Sequence, residues 1–296
     1  MKKNCVIYTV SLIIMFAILS GKAQEKAQRG IKLEKPRPDM SATDLMKINY
    51  IIKYSKFLDD ITFNKVEIHY ISRSGGRRYR EAKRFRIILN RASDGLDYKD
   101  MVILTSPENV KGLAVMTWSY IDPKKQRDQW LWLPSLKKVR RTSPADADDA
   151  FMGTDLTVED VTSRRLEDET YKKLPDEVFP GYTMKLDGKI VNKDVPCYVI
   201  ECTPKKKDWY YTKRKVYLSK EYSANIYEEF YDSNGKKTRI SCRIFKLFPE
   251  GPILVCWEME DLKTDHASDI VLHDLIFNQG VKERMFSEKS LMRMKW

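Results

Sequence analysis

Residues 65–89 have the sequence KVEIHYISRSGGRRYREAKRFRIIL, in which two strand patterns flank a turn. Before the turn, Val66, Ile68 and Tyr70 alternate with other residues, as in a strand with one buried face. The segment Ser74-Gly75-Gly76 is typical of a tight turn, because glycine adopts the positive φ angles that hairpin turns need. After the turn, apolar residues again alternate with basic ones, and they are Phe85, Ile87 and Leu89. The stretch therefore predicts an antiparallel hairpin with one apolar and one basic face.

Strand patterns continue along most of the chain. The further runs are residues 101–105, 113–121, 129–133, 189–202, 213–219, 224–231, 238–247, 253–262 and 270–277. Short segments rich in Pro, Gly, Asn and Asp connect many of them. A series of about ten strands joined mainly by short turns predicts a mainly β (α+β) fold, built as one large curved antiparallel sheet or incomplete barrel.

One substantial helix precedes these strands. Ser41 is a good capping residue for its start. Leu45, Ile48 and Ile52 follow at helical spacing and form an apolar stripe, so we expect a largely buried helix over residues 41–58. This helix either belongs to an ordinary core or packs as a plug in the concave face of the sheet.

The N-terminus has the pattern of a secretory signal peptide. Lys2 and Lys3 precede an apolar run that ends at Leu19, and Gly21 and Ala23 are small residues suited to a cleavage site. An uncleaved anchor is the alternative, but the apolar run is short for a membrane span. We therefore predict a signal peptide at 1–23, a flexible lead-in at 24–40 and a single domain at 41–296.

The net charge of the chain is +12, and removal of Lys2, Lys3 and Lys22 with the signal peptide leaves about +9. Export to the periplasm argues against nucleic acid as the partner. A basic surface in that compartment suits anionic lipid head groups or an acidic face of a membrane protein. We expect a monomer.

Four cysteines follow the signal peptide. Cys197 and Cys202 are an odd number of residues apart on one predicted strand, so their side chains should face opposite ways and not bond to each other. Cys242 and Cys256 flank a predicted turn and are candidates for a cross-strand disulfide. The alternative is that all four are buried free thiols.

Motifs of catalysis are absent from the sequence. It contains no Gly-x-Ser-x-Gly, His-Glu-x-x-His, Walker-type loop or Cys-x-x-Cys, and its three histidines are not spaced as a metal site. The acidic stretch at 146–160 lacks calcium-loop spacing, which favours a solvated functional loop. The arginines at 73–86 are interpreted as a solvated face, with head-group or partner docking as the alternative. We expect no enzyme, cofactor or metal; the enzymatic alternative is a carboxylate pair of Glu228 or Glu229 with Glu258 or Glu260.

Aromatic and Met side chains recur on one parity of two predicted neighbouring strands. They are Met116 and Trp118 on the first strand and Trp130 and Trp132 on the second. Such a face either forms core against the helix or, in a large sheet covered by one helix, leaves apolar concave surface that can hold acyl chains. With Ile48 and Ile52 of the helix, these four residues are our candidate cavity residues.

The segment FMGTDLTVED at 151–160 resembles the motif of the outer-membrane lipoprotein-sorting protein family, where Met-Gly-Ser-Asp-Phe-Thr precedes an acidic pair. Other segments also follow one another in the order found in this family. These segments are Trp130–Pro134, Pro196–Tyr198, Phe230–Asp232, Trp257–Met259 and Phe286–Leu291. Thr154 and Leu156 depart from the family's usual Ser and Phe. The resemblance covers most of the chain after the signal peptide.

The resemblance implies a LolA-like periplasmic carrier, in which an incomplete β-barrel holds acyl chains in a hydrophobic cavity. It also implies an inner-membrane transporter or an outer-membrane acceptor as partner. We interpret Phe151, Met152, Gly153 and Asp155 as a partner or gating loop that, with the helix, closes the cavity. The alternative is an accessory subunit of an envelope lipid exporter that carries no cargo itself.

Overall fold

A computed structural model of the chain describes residues 30–142, 148–162 and 164–293. The predicted signal peptide and the first part of the lead-in lie outside these residues. None of the helices in the described ranges has both the length and the apolar character needed to span a membrane.

Fifteen strands account for half of the described residues. They are β1 (Asp60–Ile71), β2 (Arg77–Arg91), β3 (Leu96–Ser106), β4 (Ala114–Tyr120), β5 (Asp128–Leu133), β6 (Lys138–Arg141), β7 (Glu169–Phe179), β8 (Tyr182–Thr183), β9 (Ile190–Val191), β10 (Val195–Pro204), β11 (Lys213–Ser219), β12 (Asn225–Tyr231), β13 (Lys237–Phe248), β14 (Gly251–Asp261) and β15 (His266–Phe277). The α-helices are α1 (Ala42–Lys53), α2 (Val158–Thr162) and α3 (Glu288–Arg293).

Thirteen strands form one antiparallel sheet in the order β6-β5-β4-β3-β2-β1-β15-β14-β13-β12-β11-β10-β7, and β8 pairs with β9 separately. The chain therefore starts in the middle of the sheet, builds outward to β6, crosses to the other edge at β7 and returns to the middle. There β15 pairs with β1 along ten residue pairs. The sheet is large and curved but not closed, as the sequence predicts.

Helix α1 packs in the concave face of the sheet, which confirms the plug interpretation. Ser41 caps it with a capping box, in which its hydroxyl accepts from the Asp44 N–H while the Asp44 carboxylate accepts from the Ser41 N–H. The helix ends at Lys53, five residues before the predicted end, and Ser55 already has a φ of 52°.

The predicted strand at 189–202 is two strands in the structure. Asn192 and Asp194 have positive φ angles of 54° and 57°, which are incompatible with a continuous strand. The chain therefore turns between β9 and β10.

The four cysteines of the described residues are buried free thiols. Cys197 and Cys202 face opposite sides of the sheet, as their spacing predicts, because Cys197 packs with Phe179 and Cys202 packs with α1. The candidate disulfide is wrong, since Cys242 is the register partner of Glu258 and Cys256 lies opposite a different residue of β13.

Candidate functional site

Residues 148–162, which lie between β6 and β7, pack on the concave face of the sheet beside α1. Phe151 and Leu156 are buried there. The carbonyl oxygen of Met152 accepts hydrogen bonds from the Tyr70 hydroxyl at 3.0 Å and from Arg80 Nη1 at 3.1 Å. The described residues of the candidate gating loop are thus packed onto the sheet.

Backbone geometry and one carboxylate hold the tip of this loop. Met152 and Gly153 both have positive φ angles, of 52° and 74°, so the chain reverses sharply at these two residues. The Asp155 carboxylate accepts a 2.6 Å hydrogen bond from the Ser268 hydroxyl of β15. Glycine suits this position because a side chain is strained at such a φ.

Below the loop lies a buried ionic cluster, which we define as four arginines with four carboxylates. The arginines are Arg164, Arg214, Arg239 and Arg243, and the carboxylates are Glu159, Asp160, Glu169 and Glu228. Glu228 illustrates the packing: it pairs with Arg214 and, at 2.6 Å, with Arg243, and its side chain is completely buried. Removal of one partner from such a cluster leaves a buried charge without compensation.

The arginines of the cluster favour the ionised form of two of its carboxylates, Glu228 and Asp160. Burial opposes ionisation, but the Arg243 and Arg214 guanidiniums hold the pKa of Glu228 far below its ordinary value. Arg239 and Arg164 do the same for the pKa of Asp160. The interpretation of the acidic stretch as a solvated loop is therefore wrong for Glu159 and Asp160, which are buried partners of these arginines.

A second ionic group lies on the same face in β2 and β3. Arg86 is only 3% exposed, and it shares the Asp100 carboxylate with Arg84, whose guanidinium lies 2.9 Å from that carboxylate. Lys56 pairs with the buried Asp97 at 2.8 Å. The solvated-face interpretation is therefore wrong for Arg84 and Arg86.

Between α1, the loop and the strands lies a cavity of about 60 Å³, which we call the central cavity. Its apolar walls include Met46, Phe245 and Trp257, and its charged walls include Lys53 and Arg243. A wider groove of about 380 Å³ adjoins it at Arg165 and is lined by Arg127, Lys205, Trp209 and other residues. The empty space next to α1 thus has both apolar and charged walls.

The structure places the candidate cavity residues in two separate groups. Ile48 and Ile52 of α1 pack on the concave face against Tyr198, Ile200 and Leu218. The four strand residues, Met116, Trp118, Trp130 and Trp132, pack together on the opposite face of the sheet. Parity correctly indicates that these four share a face, but α1 does not cover them.

The C-terminal segment covers that opposite face. Phe286 and Leu291 are buried against the cluster that contains Met116. The Asp60 carboxylate accepts the backbone N–H groups of Gly280 at 2.7 Å and Val281 at 3.2 Å, which fixes the start of the segment. Ligand contact by the four strand residues stays a prediction, and it would require this segment to move.

Glu228 and Glu258, one pair of the enzymatic alternative, do not form one site. Glu228 faces the ionic cluster, whereas Glu258 lies on the opposite face and accepts the Tyr182 hydroxyl at 2.7 Å and the Lys185 N–H at 2.9 Å. In the described ranges, no group of three or more His, Cys, Asp or Glu residues is arranged to hold a metal ion.

Asp269, the register partner of Glu258, leads to a prediction about pH. Burial and the Glu258 carboxylate raise the pKa of Asp269 well above its ordinary value. Above about pH 4 the unfolded chain releases this proton while the folded protein keeps it, so this contribution to stability is full at low pH and declines as pH rises. We expect Asp269→Asn to flatten the decline of Tm between pH 5 and pH 7 in thermal denaturation. Asp274→Asn, an exposed position on the same strand, is the control, and equal slopes for Asp269→Asn and the wild type would contradict the assignment.

The fold defines the class of protein: an open antiparallel sheet with a helix in its concave face is the LolA-like fold. A domain from Vibrio parahaemolyticus described as an outer membrane lipoprotein-sorting protein matches with a TM-score of 0.70 and 24% identity, over 85% of this chain and 98% of that one. A DUF1329 family protein from Desulfovibrio piger matches with a TM-score of 0.69 and 19% identity, over 84% and 97%. The LolA superfamily protein NE2245 from Nitrosomonas europaea matches with a TM-score of 0.59 and 17% identity, over 85% and 99%.

A protein-family model described as "-like: Uncharacterized protein" matches residues 97–293, and the chain belongs to that family. None of the curated proteins matches the sequence. The structural similarities confirm the resemblance that the motif at 151–160 indicates. At identities of 24% and below, they show a shared fold.

Proposed function

We propose that the protein is a non-catalytic periplasmic carrier that binds the acyl chains of a lipid or lipoprotein and passes its cargo between envelope membranes or to a membrane transporter. The observation that supports this most directly is α1, an amphipathic helix that occupies the concave face of an open LolA-like sheet. A helix in that position covers apolar strand surface that cargo can cover instead.

Burial of the apolar side chains of α1 and burial of an acyl chain contribute similar free energies. Five large apolar residues of α1 are buried, namely Leu45, Met46, Ile48, Ile51 and Ile52. At about 1.5–3 kcal/mol each, their burial contributes roughly 8–15 kcal/mol. A palmitoyl chain has about 15 methylene and methyl groups, and it regains roughly 12 kcal/mol when it is buried, at about 0.8 kcal/mol for each group. One long acyl chain is therefore enough to replace the helix.

Polar contacts hold α1 at only a few points, which suits a removable cover. Asn49 Oδ1 accepts the Asn225 N–H at 3.0 Å, and the Leu45 carbonyl accepts the Ser223 hydroxyl at 3.1 Å. The Tyr54 hydroxyl, just after the helix, donates to the Arg164 carbonyl at 3.0 Å and ties the helix to the loop. We propose that α1 and the loop at 148–160 move together when cargo enters.

Native mass spectrometry with lipid extraction tests the carrier function. The full chain would be expressed with its N-terminal segment, purified gently from the periplasm of a Gram-negative host and measured intact. Stoichiometric lipid or acylated peptide is the expected result. A mass without ligand, combined with no uptake from lipid vesicles, would favour the accessory subunit instead.

The gating role of the loop predicts faster release when its apolar contacts are removed. Phe151 is buried and Met152 packs against apolar residues of the sheet, so Phe151→Ser with Met152→Ser weakens closure. We expect transfer of a fluorescent lipid to acceptor vesicles to be about tenfold faster or more, since burial of one such side chain contributes about 1.5–3 kcal/mol. Leu136→Ser, at an exposed apolar residue away from this loop, is the control. Unchanged transfer in a folded double variant would exclude the gating role.

A further inference from the structure

The central cavity carries more positive than negative charge. The ionic cluster balances by itself, with four arginines and four carboxylates. Arg84 also lines the cavity, but it shares its one carboxylate, Asp100, with Arg86. Lys53 lines the cavity as well, and no carboxylate of the described chain lies within 4.0 Å of its ammonium group. Positive charge is therefore not fully compensated next to the empty space.

Hydrogen-bond donors in the cavity wall are also unused. Arg243 Nη1 and Arg164 Nε are buried and have no hydrogen-bond partner among the described residues. Both side chains are about 5% exposed, so solvent does not satisfy these donors freely. Unpaired buried donors are rare because each costs about 1–3 kcal/mol, and they commonly mark the place of a missing acceptor.

Lys53 lies close to two arginines of the cavity wall. Burial, followed by repulsion from Arg164 and Arg243, lowers the pKa of Lys53 to about 7, although Glu228 and Asp160 act in the opposite direction. A negative charge that enters the cavity therefore stabilises the protonated form of Lys53. The size also fits, because about 60 Å³ holds about four water molecules and is too small for an acyl chain.

We propose that the central cavity binds a phosphate group, through Lys53, Arg243 and Arg164, and that in the carrier this group belongs to the cargo lipid. Guanidinium groups bind phosphate oxygens with two parallel hydrogen bonds, and an ammonium group adds a compact point charge. The inference rests on the proposed carrier function for the identity of the cargo, but not for the anion site. The phosphate would bind beside α1, with the acyl chains on the apolar strands that α1 now covers.

Isothermal titration calorimetry of the full mature chain tests the site with three probes: dimethyl phosphate, a short-chain phosphatidylglycerol, and a short-chain diacylglycerol without phosphate. We compare the wild type with Lys53→Met, which removes the unpaired charge without breaking an ion pair and so should fold. Lys47→Met, exposed on the same helix, is the control. We expect Lys53→Met to weaken binding of the phosphate-containing probes tenfold or more and to leave diacylglycerol binding unchanged.

The dependence on pH provides a second measurement. Dimethyl phosphate keeps a single negative charge between pH 6 and pH 8, so a change in its affinity reports on the protein. Because anion binding needs protonated Lys53, the affinity of the wild type should fall about tenfold over this range, and that of Lys53→Met should not. A merely structural role for Lys53 would not produce this difference.

The outcomes distinguish the two proposals. Lys53-dependent binding of dimethyl phosphate alone supports the anion site and points to a free phosphate ester, against the carrier function. Lys53-dependent binding of phosphatidylglycerol supports both proposals. Equal binding of phosphatidylglycerol and diacylglycerol, unchanged in Lys53→Met, overturns the phosphate site and leaves the carrier function in place.

Discussion

Glu228→Ala should lower the free energy of unfolding by about 3–5 kcal/mol, the range found when one partner of a buried ion pair is removed. The Glu228 carboxylate compensates Arg214 and Arg243 and also accepts a 3.0 Å hydrogen bond from the Asn225 side chain. Its loss leaves these two buried guanidiniums with a single carboxylate partner, Glu169, so one positive charge is not compensated. Urea denaturation followed by circular dichroism measures the difference.

An exposed ion pair provides the matched control for this prediction. Glu108 pairs with Lys111 at 3.0 Å, and its side chain is 85% exposed. We expect Glu108→Ala to change the free energy of unfolding by at most about 1 kcal/mol, because solvent already screens both charges. Similar small losses for Glu228→Ala and Glu108→Ala would show that water reaches the ionic cluster.

Leu45→Ala should cost about 2–5 kcal/mol, since it removes a completely buried side chain from the contact between α1 and the sheet. Leu45 packs in the same apolar cluster as Tyr198 and Ile200 of β10. Lys47→Ala, at an exposed position of the same helix, is the control and should change stability by no more than about 0.5 kcal/mol.

The same variant bears on the carrier function. If α1 is a cover that leaves when cargo enters, Leu45→Ala weakens the closed form and should increase lipid binding while it lowers stability. A loss of stability without any gain in lipid affinity would indicate that α1 stays in place when lipid binds.

Much of the architecture could be predicted because its signals are local. The alternation in residues 65–89 and its glycine turn correspond to the hairpin of β1 and β2, and residues 213–219 coincide with β11. The edge strands were missed for a physical reason. β6 is KVRR and β7 carries many charges and Pro175, a composition that edge strands tolerate but that lacks the apolar alternation of a strand.

The ionic cluster was missed although part of its signal is in the sequence. Arg214 has the same parity as Val216 and Leu218, which pack against α1, so it must point into the protein too. A charged residue by itself predicts a solvated position, and only partners in distant segments make its burial tolerable. Parity shows which residues share a face, but it does not show which face α1 covers. The sequence alone therefore could not place Trp118 and Trp132 on the face opposite α1. Their contact with a ligand stays a prediction.

The pairing of β1 with β15 also bears on how the chain reaches its native state. Ile61 lies opposite Phe277, so the middle of the sheet joins segments about two hundred residues apart. Contacts between such distant segments form slowly, because a long loop must close before they contribute any stability. Until the last strand is available, β1 has one unpaired edge in the centre of the future sheet, which exposes the nascent chain to association with other strands. The chain therefore benefits from protection against such association until β15 is available to pair with β1.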